Sequence, residues 1–389
     1  MSAEGGLTCR VIRTLSGIEA IADDWRALDA RCADPLGYFQ SYDWCRNWVA
    51  WFCTDGIHSA YVMTIWQGDR LVALWPCMIV EAVGLRRLDT LGVPHSQYCG
   101  LLLEPGLPDN GRIAALFAQA RQQSGCDVIV SRAVPAGSTL DAMLRDGAGN
   151  SFTGNIASVL DLSGFAAPDD YFAQLGKLQK RNRNRRRNHL ARLGALDFAV
   201  IWPGDPEFST LVAQCAAMKR RWLAETGRRS SGFAMKQYEA FLAALEGDRL
   251  AMSGACLSVL RAGGRVVALE LGFLRQGHYY AYIGGFDWDL RHLSPGKVQM
   301  DFTVAWLIER GAARYDLLIN PADYKLSWSN RAVPVASYAE ALTWRGQLYA
   351  SAWLPKVRPA LKRMHERLPA ITERLLAWLR PAACLILYV

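Results

Sequence analysis

The chain has 389 residues, 51% of them hydrophobic and 21% charged. That balance excludes an intrinsically disordered polymer and a small disulfide scaffold, and the length leaves room for two or three domains with sizeable cores. The net charge of +8 is concentrated: Lys177 to Arg192 holds eight Lys or Arg and no acid, and Gly346 to Val389 holds seven basic against two acidic residues. The rest is mildly acidic, which points to localised contact with anions rather than a generally cationic surface.

Ten cysteines are scattered without C-x-x-C spacing, and no His pair sits at metal-ligand spacing. Buried reduced thiols, no metal and a cytoplasmic setting are the expectation. No cationic start leads into an apolar core at the N-terminus, and no run reaches ~18 apolar residues, so neither a signal peptide nor a transmembrane helix is expected.

In chain order, the patterning predicts a strand from Cys9 to Thr14, a helix from Gly17 to Arg31, and a helix from Tyr42 to Phe52 opened by Ser41 as N-cap. A hairpin follows, Ala60 to Trp66 and Leu71 to Val80 around Gly68-Asp69. Then come a strand near Arg87–Leu91, a loop from Gly92 to Gly100, a short strand Leu101–Leu103, a helix Asp109 to Gln123 and a strand Asp127 to Ser131. A Gly-, Ser- and Asn-rich stretch from Gly147 to Gly164 reads as a boundary.

Beyond it the order repeats. Phe198 to Trp202 reads as a strand, Phe208 to Glu225 and Met235 to Leu245 as helices, and Cys256 to Arg261 with Arg265 to Leu274 as a hairpin. Strand His278 to Gly285, helix Val298 to Arg310 and strand Tyr315 to Ile319 complete the second set. The expected fold class is α/β (α+β), and residues 346–389 read as a basic amphipathic helical tail broken by prolines, suited to a peripheral membrane or partner contact or to packing on the body.

The Phe39-Gln40-Ser41-Tyr42-Asp43-Trp44 segment, the basic run QKRNRNRRRNHLARLG, the LSPGK block and YDLLINPADYKLSW occur in this order. Together with the element order, they resemble the GNAT-type acetyltransferases associated with cellulose and exopolysaccharide biosynthesis, distant relatives of the Fem-type aminoacyl transferases. The resemblance covers roughly residues 8 to 345. It implies two tandem GNAT-like domains: 1–158, degenerate and on the acceptor side, and 159–345, holding acyl-CoA. Acetyl-CoA is the implied co-substrate. One departure stands out: Arg291-His292-Leu293-Ser294-Pro295-Gly296 keeps a single Gly of the family's fuller Gly-rich turn.

The turn Leu293, Ser294, Pro295, Gly296 and Lys297 is the candidate cofactor-binding segment. Free N–H groups at a helix start and the helix dipole favour a phosphate. An ordinary helix start, with Ser capping and Pro in the first turn, fits the same residues. Glu270, a charge inside the apolar strand VVALELGF, is the candidate general base, against a structural hydrogen bond or ion pair. Asp287 is a second candidate, against a turn role. The resemblance makes Tyr324 a candidate acid for the leaving thiolate and Lys325 a phosphate or carbonyl contact.

His95, Gln97 and Tyr98 in the first domain's polar loop are candidate acceptor contacts, against a plain surface loop. Arg181 and Arg185 of the basic run are candidate phosphate contacts, for a lipid-linked or nucleotide sugar, an anionic membrane or a cyclic dinucleotide; absent aromatics argue against nucleic acid. The resemblance, together with these residues, implies an N-acyltransferase acting on an amino sugar of an exopolysaccharide or its lipid-linked precursor, cytoplasmic or peripheral at the inner membrane face. Fem-like aminoacyl transfer from tRNA and a non-catalytic ligand-sensing regulator are the alternatives.

Overall fold

The structure, a computed structural model, describes residues 6–32, 34–82, 84–107, 110–146, 150–319 and 322–361. The chain runs β1 (Leu7–Ile12), α1 (Leu15–Glu19), α2 (Ala22–Cys32), α3 (Tyr42–Phe52), β2 (His58–Gln67), β3 (Arg70–Ala82), β4 (Leu85–Thr90), β5 (Leu102–Leu103), α4 (Asn110–Gln122), β6 (Val128–Pro135), α5 (Thr139–Asp146) and β7 (Asn150–Asp161). It continues through α6 (Pro168–Gln174), α7 (Lys177–Ala191), β8 (Leu196–Ile201), α8 (Phe208–Glu225), α9 (Ser231–Ala234), α10 (Tyr238–Ala243), β9 (Gly247–Asp248), β10 (Ser253–Ala262), β11 (Arg265–Arg275) and β12 (His278–Phe286). The last elements are α11 (Pro295–Glu309), β13 (Arg314–Asp316), α12 (Asp323–Trp328), β14 (Arg331–Ala341) and α13 (Trp344–Leu348), with a wide-turn helical segment Tyr349–Val357 after it.

Two compact units emerge, residues 1–155 with 334–389, and residues 156–333. In the first, strands lie in the order β1-β2-β3-β4-β6-β14, all antiparallel except the β4–β6 pair. In the second the order is β8-β10-β11-β12-β13-β7, with β12–β13 as its parallel pair. The two orders are the same tandem GNAT-like arrangement. The first unit takes its last strand, β14, from beyond the second unit, whereas the second takes its own from β7, just before α6.

The sequence places 159–345 together; in the structure, residues from Pro334 stand with the first unit because β14 pairs with β6. The expected boundary stretch after Asn150 is strand β7, whose polar half hides a buried run from Ala157 to Leu160. Predicted helix 17–31 is divided into α1 and α2, and predicted helix 235–245 is shortened to Tyr238–Ala243. The residues beyond Leu361, most of the predicted tail, lie outside the described residues. No described helix is long and apolar enough to cross a membrane, and no His, Cys, Asp or Glu group among the described residues could hold a metal.

The first unit's core forms on both strand faces. Tyr61, Met63, Trp75, Leu88 and Ile129 pack with Ile113 and Phe117 of α4. On α3, Trp44, Trp48 and Phe52 are buried, each worth roughly 1.5–3 kcal/mol by area. Ser41 caps α3, accepting from Trp44 N–H at 3.4 Å. The opposite face of β4 and β6 carries Val128 and Val130, packed against Leu354.

Gly346 in α13 faces the Asp127 carbonyl, which already accepts from the Leu342 and Thr343 N–H groups. A Cβ at Gly346 would overlap that carbonyl. Gly346→Ala should lower the stability of the first unit by about 1–3 kcal/mol, measured by urea unfolding followed through Trp fluorescence. A loss below about 0.5 kcal/mol would contradict this packing.

Candidate active site

The second unit's site grows from the short parallel pair. β12 and β13 pair only from His278↔Arg314 to Tyr280↔Asp316. The predicted strand to Ile319 stops early because the chain turns at Leu318, whose φ is +63°. Asp316 makes that turn: its Oδ1 accepts the Leu318 N–H at 2.7 Å, and its Oδ2 lies 2.9 Å from His278 Nε2, with both side chains buried. β12 runs on to Phe286 while its neighbour leaves, so the two strands fork.

Glu270 of β11 sits beside this fork, opposite Ser258 of β10 and Gly284 of β12. Its carboxyl accepts from Tyr279 Oη at 3.2 Å and from Tyr315 Oη at 2.9 Å. The two tyrosine rings stack 5.6 Å apart on the paired part of β12 and β13. Gly272 makes this possible, since a Cβ there would occupy the Tyr279 ring. Glu270 is 8% exposed, and burial pushes its carboxyl up to about 7 against the lowering effect of the two tyrosine bonds. On the other side Gly284 is exposed, with open space where a side chain would stand.

Lys325 and Tyr324 lie on α12. Lys325 Nζ donates to Leu318 O at 3.3 Å and Ile319 O at 2.8 Å, both offered by the Asp316-directed turn. Burial draws its ammonium down to about 8, with Asp316 opposing and Lys219 adding repulsion. Partial burial, then the Glu270 carboxylate, push the Tyr324 hydroxyl up to about 12. Lys219 of α8 lies over the Trp222 ring at 4.0 Å, and burial lowers its ammonium too. Sequence reading missed Tyr279, Tyr315 and Lys219. Nothing local separates those tyrosines from core aromatics, and Lys219 reads as one cation of an amphipathic helix.

At the start of α11, Ser294 has φ +57° and makes no side-chain cap, so the expected Ser cap is replaced by a left-handed backbone turn. Its carbonyl accepts Lys297 N–H at 3.0 Å and Val298 N–H at 3.3 Å. A Cβ on Gly296 would meet only Phe286 Cδ1, at 3.6 Å, so the glycine leaves room rather than serving a strained turn. α7 packs against α11, and burial and then Arg186 lower the Lys297 ammonium. The basic helix and the LSPGK turn therefore share one cationic region.

α7 is anchored there by Arg183. Its Nη1 donates to Asp301 Oδ1 at 2.7 Å, its Nη2 to Tyr171 Oη at 3.0 Å, and its guanidinium lies 3.9 Å from the Trp328 ring. Burial raises the Asp301 carboxyl to about 6 even beside this cation. An open groove of about 390 Å³, lined by Lys180, Arg183, Arg187, Asp301, Phe172 and Leu175 among others, runs beside them. Arg181 and Arg185, the pair singled out from sequence, are exposed and do not line it.

Other sequence candidates take structural roles. Asp287 accepts from Asp289 N–H at 3.1 Å and pairs with Arg265. His95 and Tyr98 are buried, so they offer no acceptor surface. Trp48 Nε1 donates to His95 Nδ1 at 3.0 Å, Trp44 Nε1 to Ser96 Oγ at 3.0 Å, and Gln40 Nε2 to Tyr98 O at 2.9 Å. The loop is thus sewn to the Phe39–Trp44 block, with Gln97 half-buried between.

Residues 177–326 match the family model described as "Acetyltransferase (GNAT) domain". Among solved structures, FemX superposes with a TM-score of 0.60 at 11% identity, covering 88% of this chain and 98% of that one. L-PGS from Bacillus licheniformis gives 0.54 at 14% identity, covering 89% of this chain and 97% of that one. No curated protein sequence matches the chain. The second unit is a GNAT-type acyltransferase domain, and the chain as a whole shares its fold with these two structures.

The raised Glu270 carboxyl has a stability consequence. The folded unit holds this proton between pH 4.5 and about 7 while the unfolded chain releases it. Stability from this group is therefore complete below 4.5 and lost as pH rises through 7. Glu270→Gln should be more stable than wild type by up to about 3 kcal/mol at pH 8, with the gap closing toward pH 5, in urea unfolding at both values. A gap independent of pH would refute the burial effect.

Proposed function

We propose that the second unit moves an acetyl or similar acyl group from CoA to the amine of an amino sugar, carried by an exopolysaccharide or its lipid-linked precursor. The observation that carries this reading is the Glu270 carboxyl at the strand fork, buried, held by two tyrosine hydroxyls and tuned near neutrality. Such a group accepts a proton from an amine efficiently at neutral pH. Support for the amino-sugar acceptor comes from the motif resemblance of the sequence.

In the step, Glu270 takes one N–H proton while the acceptor nitrogen forms a bond to the acyl carbon and the carbon–sulfur bond breaks. The departing thiolate takes a proton. Lys325 suits that role better than Tyr324, because an ammonium near 8 is matched to a thiol and a hydroxyl near 12 holds its proton too firmly. Two of the three Lys325 protons are engaged by backbone carbonyls, which fixes the third. Gly296, Lys297 and Arg186 would hold the donor's phosphates at the α11 start, where room, charge and the helix dipole coincide.

Aminoacyl transfer from tRNA is the second reading, favoured by the exposed cations of α7, Arg181 and Arg185 among them, beside that region.

Calorimetry with acetyl-CoA tests the donor. Wild type should bind, and Gly296→Asp should weaken binding about tenfold or more while leaving the fold intact, because Asp suits a helix start yet repels phosphate. Absence of binding heat in wild type would defeat the CoA reading and leave aminoacyl-tRNA as the donor to assay. With an amino-sugar acceptor, Glu270→Gln should reduce kcat about 10²–10⁴-fold, and wild-type kcat should rise with pH to a maximum between about 7 and 8 and fall above it as Lys325 loses its proton. Unchanged turnover would remove Glu270 as the base.

A further inference from the structure

α7 carries more charge than acyl transfer uses, and part of that charge faces a cavity. The open groove of about 390 Å³ has two unlike walls over one floor. Phe172 and Ala173 of α6, with Leu175 directly after it, make an apolar wall. Lys180, Asn184 and Arg187 make a polar one, and their spacing of four and three puts them on one face of α7. The floor is the Arg183–Asp301 pair, both residues buried and joined at 2.7 Å.

The two cations of the polar wall keep donors open. Lys180 Nζ donates to Ala173 O at 2.8 Å, which fixes the ammonium across the groove and leaves two of its protons over. Arg187 is exposed and holds its guanidinium 4.8 Å from the centroid of the Phe302 ring. A ring takes the face of a guanidinium and leaves its N–H edge available. Arg187 also feels the Asp301 charge, which Arg183 already engages. Across the whole lining, Lys180, Arg183 and Arg187 stand against Asp169 and Asp301, so the groove is positive.

An ammonium, a guanidinium edge and the Asn184 amide on one wall offer more donors than a carboxylate can use, and they suit the oxygens of phosphate. The groove has the volume of a site for a small organic ligand rather than for a bare ion, and its other wall is apolar. We propose that this groove binds a phosphate ester with an apolar substituent, the phosphate between Lys180 and Arg187 and the substituent along Phe172 and Leu175. Asp301 and Phe302 meet α7, whereas Gln299 and Thr303 meet Ser258 of β10, the residue opposite Glu270. α11 therefore stands between this groove and the strands that carry Glu270, and the site does not depend on the acyl-transfer reading.

Calorimetry of the full chain with hexyl phosphate tests this. Wild type should bind it saturably and about tenfold or more tighter than methyl phosphate, because the longer chain covers the apolar wall. Leu175→Ser should bring hexyl phosphate toward the methyl phosphate level. Arg187→Gln, at an exposed position that tolerates the change, should weaken binding about tenfold or more, and Arg187→Lys should fall between, since a point charge lacks the fork. Asp169→Asn should tighten binding, because a carboxylate on the lining repels the phosphate. Lys297→Gln should leave the affinity unchanged, which separates this groove from the α11 start. Displacement of hexyl phosphate by vesicles containing phosphatidic acid assigns a lipid headgroup as the source of the ester, and no displacement assigns a soluble ester. No saturable heat in wild type, equal affinity for hexyl and methyl phosphate, or heat that survives Lys180→Gln and Arg187→Gln combined overturns the proposal.

Discussion

The bond between Asp316 and the Leu318 N–H is the constraint on which the second unit's site rests. A parallel strand pair that continued would be closed by its own hydrogen bonds. Asp316 instead ends β13 after three residues, and buried His278 holds it in place. The same turn presents the carbonyls that hold Lys325, while the paired stub sets Tyr279 and Tyr315 against Glu270. One carboxylate therefore determines where the strands part and which groups stand at the opening.

Charge is handled differently in the two units. Around Arg183 the cation is fully engaged, by a carboxylate, a hydroxyl and an indole face, and it anchors a helix that could not otherwise pack. α7 has little apolar surface of its own: Leu190 is its one buried apolar side chain among the described residues, so Arg183 does the work a core residue does elsewhere. Around Asp89 a buried carboxylate is held by the Arg132 guanidinium, whose Nε donates to both its oxygens, with Arg87 3.7 Å away. Burial raises the cost of each of these charges unless a partner meets it.

Strongly periodic elements were legible from the chain. Helix 208–225 and helix 42–52 match their predicted limits, because an amphipathic stripe and a cap are local properties. Strands β7 and β14 were not: half of β7 is polar, Pro334 interrupts the pattern of β14, and only the partner strands explain either. Glu270 could be picked out as a charge in an apolar strand, but the partner that lifts it above an ordinary ion pair, Tyr315, lies 45 residues away. His95 and Tyr98 failed for the opposite reason: polar atoms that look available in sequence are consumed by indoles and amides from another segment. On α7 several arginine spacings fit a helix equally well, and only contact with α11 selects Arg183 and Arg187 over Arg181 and Arg185.

The first unit is written in two pieces, with the second unit between them. During synthesis, the ribosome delivers every strand of the second unit before it delivers β14. The inner unit can therefore complete its sheet while the outer one still shows an unpaired edge along β6. Folding order is thereby set by chain order, and the outer unit's exposed edge would be the point at which a chaperone or a neighbouring nascent chain could engage it.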